Sequence, residues 1–129
     1  MKQLDAESYF AAVTSKSAQT RRPEGMTFEL TYGCNLRCVH CYNPTHRALP
    51  HELTTSEICA LLNQIADFGV LTVTFTGGEP SVRPDIGDIL RHAHRQGLMI
   101  HLMTNATRMT TSFTDLLREV GVSQIDVSI

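Results

Sequence analysis

The segment MTFELTYGCNLRCVHCY, residues 26–42, joins a predicted strand to a loop rich in cysteine. Residues 26–31 alternate apolar and polar side chains and favour β structure, so they predict a first strand. Residues 32–53, called the cysteine loop below, show little periodicity, and we expect them to form a long connection. The cysteines of this loop follow the spacing C-x₃-C-x₂-C, and they are Cys34, Cys38 and Cys41. Three thiols therefore follow the carboxyl end of the first strand.

Helices and strands are predicted to alternate downstream of the cysteine loop. Thr54 and Glu57 form a capping box, and apolar residues at helical spacing follow it as far as Gly69. Three helices are predicted. The first covers 54–68, and the second begins at Pro84-Asp85 and ends at Gly97. The third is capped by Thr111 or Ser112 and ends at Gly121. The predicted strands cover 70–76, 98–104 and 124–129.

This order of elements is βαβαβαβ, which predicts an α/β fold with a parallel sheet and right-handed crossovers. Ligands of parallel α/β folds bind at the carboxyl ends of the strands. Each predicted strand here runs into a polar segment at that end, and the segments are Gly33-Cys34, Gly77-Gly78-Glu79-Pro80, Thr104-Asn105 and Ser128. We therefore expect these residues to meet along one rim of the sheet.

The two ends of the chain carry weaker patterns. Residues 1–24 are expected to be an arm, with a short helix over 4–13 and a polar linker over 14–25. The last strand has no helix after it, and four parallel strands leave an unpaired edge. We therefore expect residues 25–129 to be the N-terminal part of a larger domain.

Composition excludes several classes of protein. The chain has 129 residues, the length of one domain. Lys and Arg total 11 and Asp and Glu 13, a net charge of −2 that argues against a nucleic-acid binder. The sequence shows neither an apolar run long enough to span a membrane nor a signal-peptide core. We expect a cytoplasmic, reducing location and no membrane partner.

In such a compartment, three crowded cysteines indicate metal binding or catalysis before disulfides. A [4Fe–4S] cluster normally takes four cysteine thiolates, so three local cysteines would leave one iron open to another ligand. An open coordination position is typical of a catalytic metal site. The fourth cysteine, Cys59, lies in the first helix after the loop and is expected to be a small buried hydrophobe.

The motifs ELTYGCNLRCVHCY, FTGGEP and MTNAT together resemble the radical S-adenosylmethionine (SAM) superfamily. Within it they are similar to the SPASM-type branch of peptide and sulfatase maturases and quinone-cofactor biosynthesis enzymes. The resemblance covers roughly residues 26–129 at the level of element order. It implies that the four strands are the N-terminal part of a partial (β/α)6 TIM-like barrel.

The resemblance also implies which cofactor each motif would bind. Cys34, Cys38 and Cys41 would ligate three irons of a [4Fe–4S] cluster, and the methionine end of SAM would chelate the fourth. The segment Gly77-Gly78-Glu79 would hold the SAM ammonium group. His40 stands where the family has an aromatic residue near the adenine. The remaining candidate cofactor contacts lie at strand ends, and they are Thr104, Asn105 and Ser128.

The implied activity is that of an oxidoreductase. One electron from the cluster would cleave SAM to methionine and a 5′-deoxyadenosyl radical, which would abstract hydrogen from a small-molecule or peptide substrate. An electron donor such as flavodoxin or ferredoxin would be the protein partner. The alternative hypothesis is that the chain is a truncated, non-catalytic metal-binding module.

Several less specific explanations stay open at this point. The loop cysteines could form a structural Cys₃His zinc site with His46, or Cys38 and Cys41 a redox pair. GGEP by itself could be a simple turn. Arg83 and Arg108 could meet an anionic substrate or face solvent. His101 is expected to be a core or barrel-lining histidine rather than a ligand. The chain has no phosphate-binding P-loop and no G-x-G-x-x-G motif.

Overall fold

The computed structural model describes residues 5–128 as four helices, four strands and a short 3₁₀ turn. In chain order these are α1 (Ala6–Thr20), β1 (Gly25–Glu29), α2 (Thr55–Asp67), β2 (Thr72–Thr76), the 3₁₀ turn (Pro80–Val82), α3 (Ile86–Arg95), β3 (Met99–Thr104), α4 (Thr111–Glu119) and β4 (Gln124–Val127). All strands are parallel, in the spatial order β1-β2-β3-β4. The predicted βαβαβαβ architecture is confirmed.

Local sequence explains where the helices begin. Both halves of the predicted capping box form at α2, where the Thr54 hydroxyl accepts from the Glu57 N–H and the Glu57 carboxylate accepts from the Thr54 N–H. The cap of α4 is Thr110, whose hydroxyl accepts from the Phe113 N–H. The expectation of Thr111 or Ser112 as that cap is wrong by one or two residues, because three neighbouring hydroxyl residues offer equivalent caps.

The two faces of the sheet differ in character. Alternate residues of the central strands are buried against α2 and α3, and on the strands these are Val73, Phe75, Ile100 and Leu102. The helices contribute Ile58, Leu62, Ile89 and Leu90 to this core. The opposite face is open, and Thr27, Thr74, His101 and Gln124 stand side by side across it. His101 therefore lies on the face that would line a barrel, which is one of the two places expected for it.

The N-terminal segment departs from the sequence expectation. Helix α1 continues to Thr20 and ends at Arg21, which has a left-handed φ of 53°. The linker predicted over 14–25 is therefore wrong for its first seven residues. The expected helix over 4–13 began at Leu4, which lies outside the described residues, as does Ile129 at the end of the predicted fourth strand.

Strand ends also shift slightly. β1 covers Gly25–Glu29 rather than 26–31, and β2 begins at Thr72 rather than at residue 70. The chain keeps one further contact with β2 after Glu29, because the Leu30 N–H donates to the Thr76 carbonyl at 2.9 Å. Among residues 5–128, none of the helices is long and apolar enough to cross a membrane.

Candidate functional site

The cysteine loop leaves the carboxyl end of β1 and is tied off at its base. The Cys34 N–H donates to the His46 carbonyl at 3.2 Å. The Asn43 side chain, 3% exposed, donates to the Tyr32 carbonyl at 2.7 Å. Its Oδ1 accepts from the backbone N–H groups of Thr45 and His46, both at 3.1 Å. Asn43 therefore joins the outgoing and returning halves of the loop.

All four cysteines are free thiols. Cys34 and Cys41 are half-buried, and Cys38 between them is exposed. The Cys34 sulfur accepts the Leu36 N–H at a distance of 3.4 Å. Cys59 is half-buried on α2, outside the loop, and burial raises the pKa of its thiol.

Glu52 fixes the returning half of the loop against β1. Its carboxylate accepts from the Tyr32 N–H at 2.7 Å, from the Leu49 N–H at 2.9 Å and from the Thr31 hydroxyl at 2.8 Å. Burial raises the pKa of the Glu52 carboxyl, but these hydrogen bonds and the charge of Arg83 outweigh it, so the net pKa is lowered. The ionised form of Glu52 is therefore the one that holds the loop.

Arg83 and Asp85 clamp the same region from the other side. They form a two-point ion pair at 2.9 and 2.6 Å through Nε and Nη2 of Arg83, and the third nitrogen, Nη1, donates to the Leu30 carbonyl at 2.7 Å. The Arg83 hydrogen bond lowers the pKa of Asp85 to about 2, against the opposing effect of burial. Because these donors are occupied within the chain, Arg83 has a structural role rather than that of an anion receptor. Arg108 is exposed.

Gly77 and Gly78 bring the end of β2 directly against the start of the cysteine loop. The Gly78 N–H donates to the Thr31 carbonyl at 2.6 Å, and the Glu79 N–H donates to the Gly33 carbonyl at 2.8 Å. A Cβ on Gly77 would collide with the Thr31 carbonyl, and one on Gly78 with the Gly33 carbonyl. Gly77 also has a φ of 130°, which L side chains rarely adopt. GGEP is therefore more than a simple turn, because its glycines permit contact between two backbones.

Glu79 is fully buried and links β2 to β3. Its carboxylate accepts from the Thr104 hydroxyl at 2.7 Å, from the Asn105 N–H at 2.7 Å and from the Ser81 N–H at 3.0 Å. Relative exposure is 0% for Glu79 and 4% for Thr104. Ser81 adjoins this pair, and its buried hydroxyl lacks a hydrogen-bond partner among the described residues. Among the described residues, the Ser81 hydroxyl is therefore a polar group beside Glu79 that is available for a further hydrogen bond.

The structure thus gathers most of the predicted site residues at one end of the sheet. Contacts connect Cys34 and the Gly77–Glu79 segment with Thr104 and Asn105. The Ser128 N–H donates to the Thr104 carbonyl at 3.0 Å, which places Ser128 on the same rim. His40 is exposed on the cysteine loop.

The chemistry of the donor set fits an iron–sulfur cluster, whose usual protein ligands are cysteine thiolates. Within residues 5–128, no three His, Cys, Asp or Glu side chains are arranged to hold one metal ion, and that includes the proposed zinc ligands Cys34, Cys38, Cys41 and His46. In a [4Fe–4S] cluster each thiolate binds its own iron, so the sulfurs need not converge on one point. Cys34, Cys38 and Cys41 are three free thiols on one loop, which is the number of thiolates that a cluster with one open iron needs.

Two residues that position the cysteines escaped the sequence analysis. Asn43 and Glu52 carry no local pattern, because their partners lie about 10 and 20 residues earlier in the chain. The sequence offered one indication, which was that an asparagine and a glutamate occur in a loop with little periodicity. Such a signal does not identify a partner.

Comparisons with known proteins identify the family of this chain. A family model described as the radical SAM superfamily matches residues 28–129. An AdoMet-dependent heme synthase of Methanosarcina barkeri is 40% identical over 113 residues, which cover 87% of this chain and 32% of that protein. A PqqA peptide cyclase of Streptomyces rochei is 36% identical over 108 residues, which cover 83% of this chain and 30% of that protein.

Solved structures give the same fold. Streptococcus suis SuiB bound to S-adenosylmethionine superposes with a TM-score of 0.71 at 20% identity, covering 97% of this chain and 31% of SuiB. BtrN in complex with AdoMet and 2-DOIA gives a TM-score of 0.69 at 20% identity, covering 81% of this chain and 45% of BtrN. The chain spans about a third of the length of the curated relatives described above.

The loop of three free cysteines, the glycine-glutamate segment packed against it and the match over residues 28–129 all lead to one assignment. The family implies a [4Fe–4S] cluster and S-adenosylmethionine as cofactors. This chain belongs to the radical SAM superfamily.

Proposed function

We propose that the chain is the cofactor-binding part of a radical SAM enzyme. Cys34, Cys38 and Cys41 would each hold one iron, and SAM would occupy the open iron. The observation that carries the proposal is the contact between the cysteine loop and GGEP, through the hydrogen bonds of Gly78 to Thr31 and of Glu79 to Gly33. This contact fixes the cysteine loop and the proposed SAM-binding segment relative to one another.

The chemistry supplied by the bound cofactors is one-electron cleavage of SAM, followed by hydrogen abstraction from a substrate. The chain's own residues position these reactants. Glu79 is held by three donors and orders the ends of β2 and β3, where Gly77, Gly78, Thr104 and Ser128 would contact SAM. His40 would lie near the adenine. By holding the reactants in a fixed orientation at this rim, the protein would accelerate the reaction.

A peptide is the substrate class we favour. PqqA peptide cyclases recur among the relatives, at 36% identity in the Streptomyces rochei protein, and SuiB has been solved bound to precursor peptide SuiA. The open face of the sheet adds polar groups suited to a peptide backbone, namely Thr27, Thr74, His101 and Gln124. An electron donor such as flavodoxin or ferredoxin would complete the system in a reducing cytoplasm.

A tetrapyrrole substrate is the second candidate, because the heme synthase relative has the higher identity, 40%. The two candidates differ in a direct assay. If the chain binds tetrapyrroles at micromolar concentration, adding the chain should change the absorbance spectrum of the tetrapyrrole. If the substrate is a peptide, the tetrapyrrole spectrum should stay unchanged.

Anaerobic reconstitution with iron and sulfide tests the proposed function. We expect a brown protein with four irons per chain, since three thiolates and one open iron define a [4Fe–4S] site. The electron paramagnetic resonance (EPR) spectrum of the reduced cluster should change when SAM is added. A chain that takes up no iron, or a spectrum that ignores SAM, would contradict the proposal.

Release of 5′-deoxyadenosine under reducing conditions separates an enzyme from a metal-binding module. Detectable release supports catalysis. A loaded cluster that responds to SAM yet yields no 5′-deoxyadenosine would favour the non-catalytic module.

A further inference from the structure

The segment after β3 reaches back to the first cysteine of the loop. Nδ2 of Asn105 donates toward Cys34 Sγ at 4.0 Å and toward Asn35 Oδ1 at 3.0 Å. The backbone N–H of the same residue donates to Glu79 Oε2 at 2.7 Å. Asn105 is thus the residue through which the buried carboxylate at the end of β2 is connected to a cysteine sulfur.

The orientation of the Asn105 amide follows from its partners. Its Oδ1 accepts from the Thr107 N–H at 3.0 Å and from the Thr107 hydroxyl at 2.7 Å. A backbone N–H can only donate, so the atom facing it must be oxygen and the atom facing Cys34 must be the NH₂ group. Asn35 closes the ring by donating to the Thr107 hydroxyl at 2.7 Å. Each of these three side chains therefore donates at least one hydrogen bond, and both N–H groups of the Asn105 amide have acceptors.

We propose that Asn105 is a positioning residue for the iron–sulfur cluster, which holds Cys34 through an N–H···S hydrogen bond and raises the reduction potential of the cluster. This inference rests on the proposed function. Hydrogen bonds to cluster sulfurs are among the factors that set the potential, because they stabilise the extra negative charge of the reduced state. Both polar side-chain atoms of Asn105 are already bonded within the chain, so its amide serves the cysteine rather than SAM.

A redox titration of the reconstituted chain, followed by EPR, tests this role. Asn105→Leu keeps the approximate size of the side chain and removes the donor. At a fixed potential we expect its ratio of reduced to oxidised cluster to be about threefold lower, the effect of one modest hydrogen bond. The matched control is Asn63→Leu on α2, where Asn63 bonds His92 at 2.7 Å and the potential should not change.

Thr107→Val provides a second variant that retains the Asn105 donor. It removes the hydroxyl that orients both amides, so we expect a smaller shift toward lower potential. An intact cluster with unchanged potential in Asn105→Leu would overturn the inference and leave the proposed function standing. If Asn105→Leu holds no cluster, an unchanged potential in Thr107→Val would overturn it instead. Failure of the unsubstituted chain to bind iron would contradict the proposed function itself.

Discussion

The helix-packed sheet and the cysteine loop are held in place by different interactions. Apolar side chains with almost no exposure form the interior between the sheet and its helices, and examples are Val73, Phe75, Ile89 and Leu102. The cysteine loop instead depends on Asn43, Glu52 and the Arg83–Asp85 pair, which hydrogen-bond to backbone and hydroxyl groups. Val39 at its tip is fully exposed.

This difference separates stability from function. Burial of apolar surface is non-directional and stabilises the whole domain. Hydrogen bonds are directional, so the polar contacts fix the shape of the loop while adding less to the free energy of unfolding. We therefore expect changes in the core to unfold the chain, and changes at the loop base to disturb cofactor binding first.

The largest effect is expected in the core. Phe75→Ala should lower the free energy of unfolding by about 3–5 kcal/mol, because it leaves a cavity where Phe75 is fully buried. Urea unfolding followed by circular dichroism measures this. The matched control is Phe68→Ala, whose side chain is 53% exposed and whose removal should cost much less. Equal losses from both variants would contradict the assignment of the core.

The junction between the two regions comes next. Gly78→Ala should lower the free energy of unfolding by about 1–3 kcal/mol, because its Cβ would overlap the backbone of Gly33 and Tyr32. Gly25→Ala is the control, since its nearest neighbour would lie at an ordinary 3.5 Å. Urea unfolding of the pair should separate them. If Gly78→Ala were as stable as the unsubstituted chain, the close backbone contact would be refuted.

At the base of the loop, Glu52→Ala should cost about 1–2 kcal/mol, because two backbone N–H groups and one hydroxyl lose a charged acceptor. The more sensitive readout is limited proteolysis, in which trypsin should cleave faster after Arg37 and Arg47. His51→Ala, at an exposed neighbouring position, should leave the cleavage rates unchanged. Unaltered cleavage in Glu52→Ala would show that the carboxylate does not hold the loop.

The smallest effect concerns pH. The pKa of Asp85 is lowered to about 2 by Arg83, so its ion pair stabilises the fold at neutral pH and loses that contribution as the pH falls below about 4 toward 2. Asp85→Asn should remove about 1–2 kcal/mol at pH 7 and less at pH 3, after allowance for solvent screening. Urea unfolding at both pH values measures the difference. A loss independent of pH would contradict the ion pair.

Much of the fold could be predicted from local patterns. The capping box at Thr54 and the glycines after α2, α3 and α4 mark helix ends, and these signals depend only on neighbouring residues. The length of α1 could not be predicted, because its second half is rich in Ser, Thr and Lys and has no clear apolar stripe.

The candidate site likewise has features that could be predicted from local sequence and features that could not. The cysteine spacing and GGEP are local motifs and were visible at once. Long-range partners were not, because nothing in the sequence shows that Asn105 meets Cys34, 71 positions earlier. The reason for the two glycines was also out of reach, because the backbone of Thr31 and Gly33 occupies the space that their side chains would need.

The central claim is that the thiols of the cysteine loop, and not the thiol on α2, hold the iron. Iron and sulfide content of four anaerobically reconstituted variants tests it most directly. Cys34→Ala, Cys38→Ala and Cys41→Ala should each lose the brown, oxygen-sensitive chromophore, whereas Cys59→Ala should retain four irons per chain, as expected of a [4Fe–4S] site. Equal loss in all four variants, or full iron content in any of the three loop variants, would contradict the account.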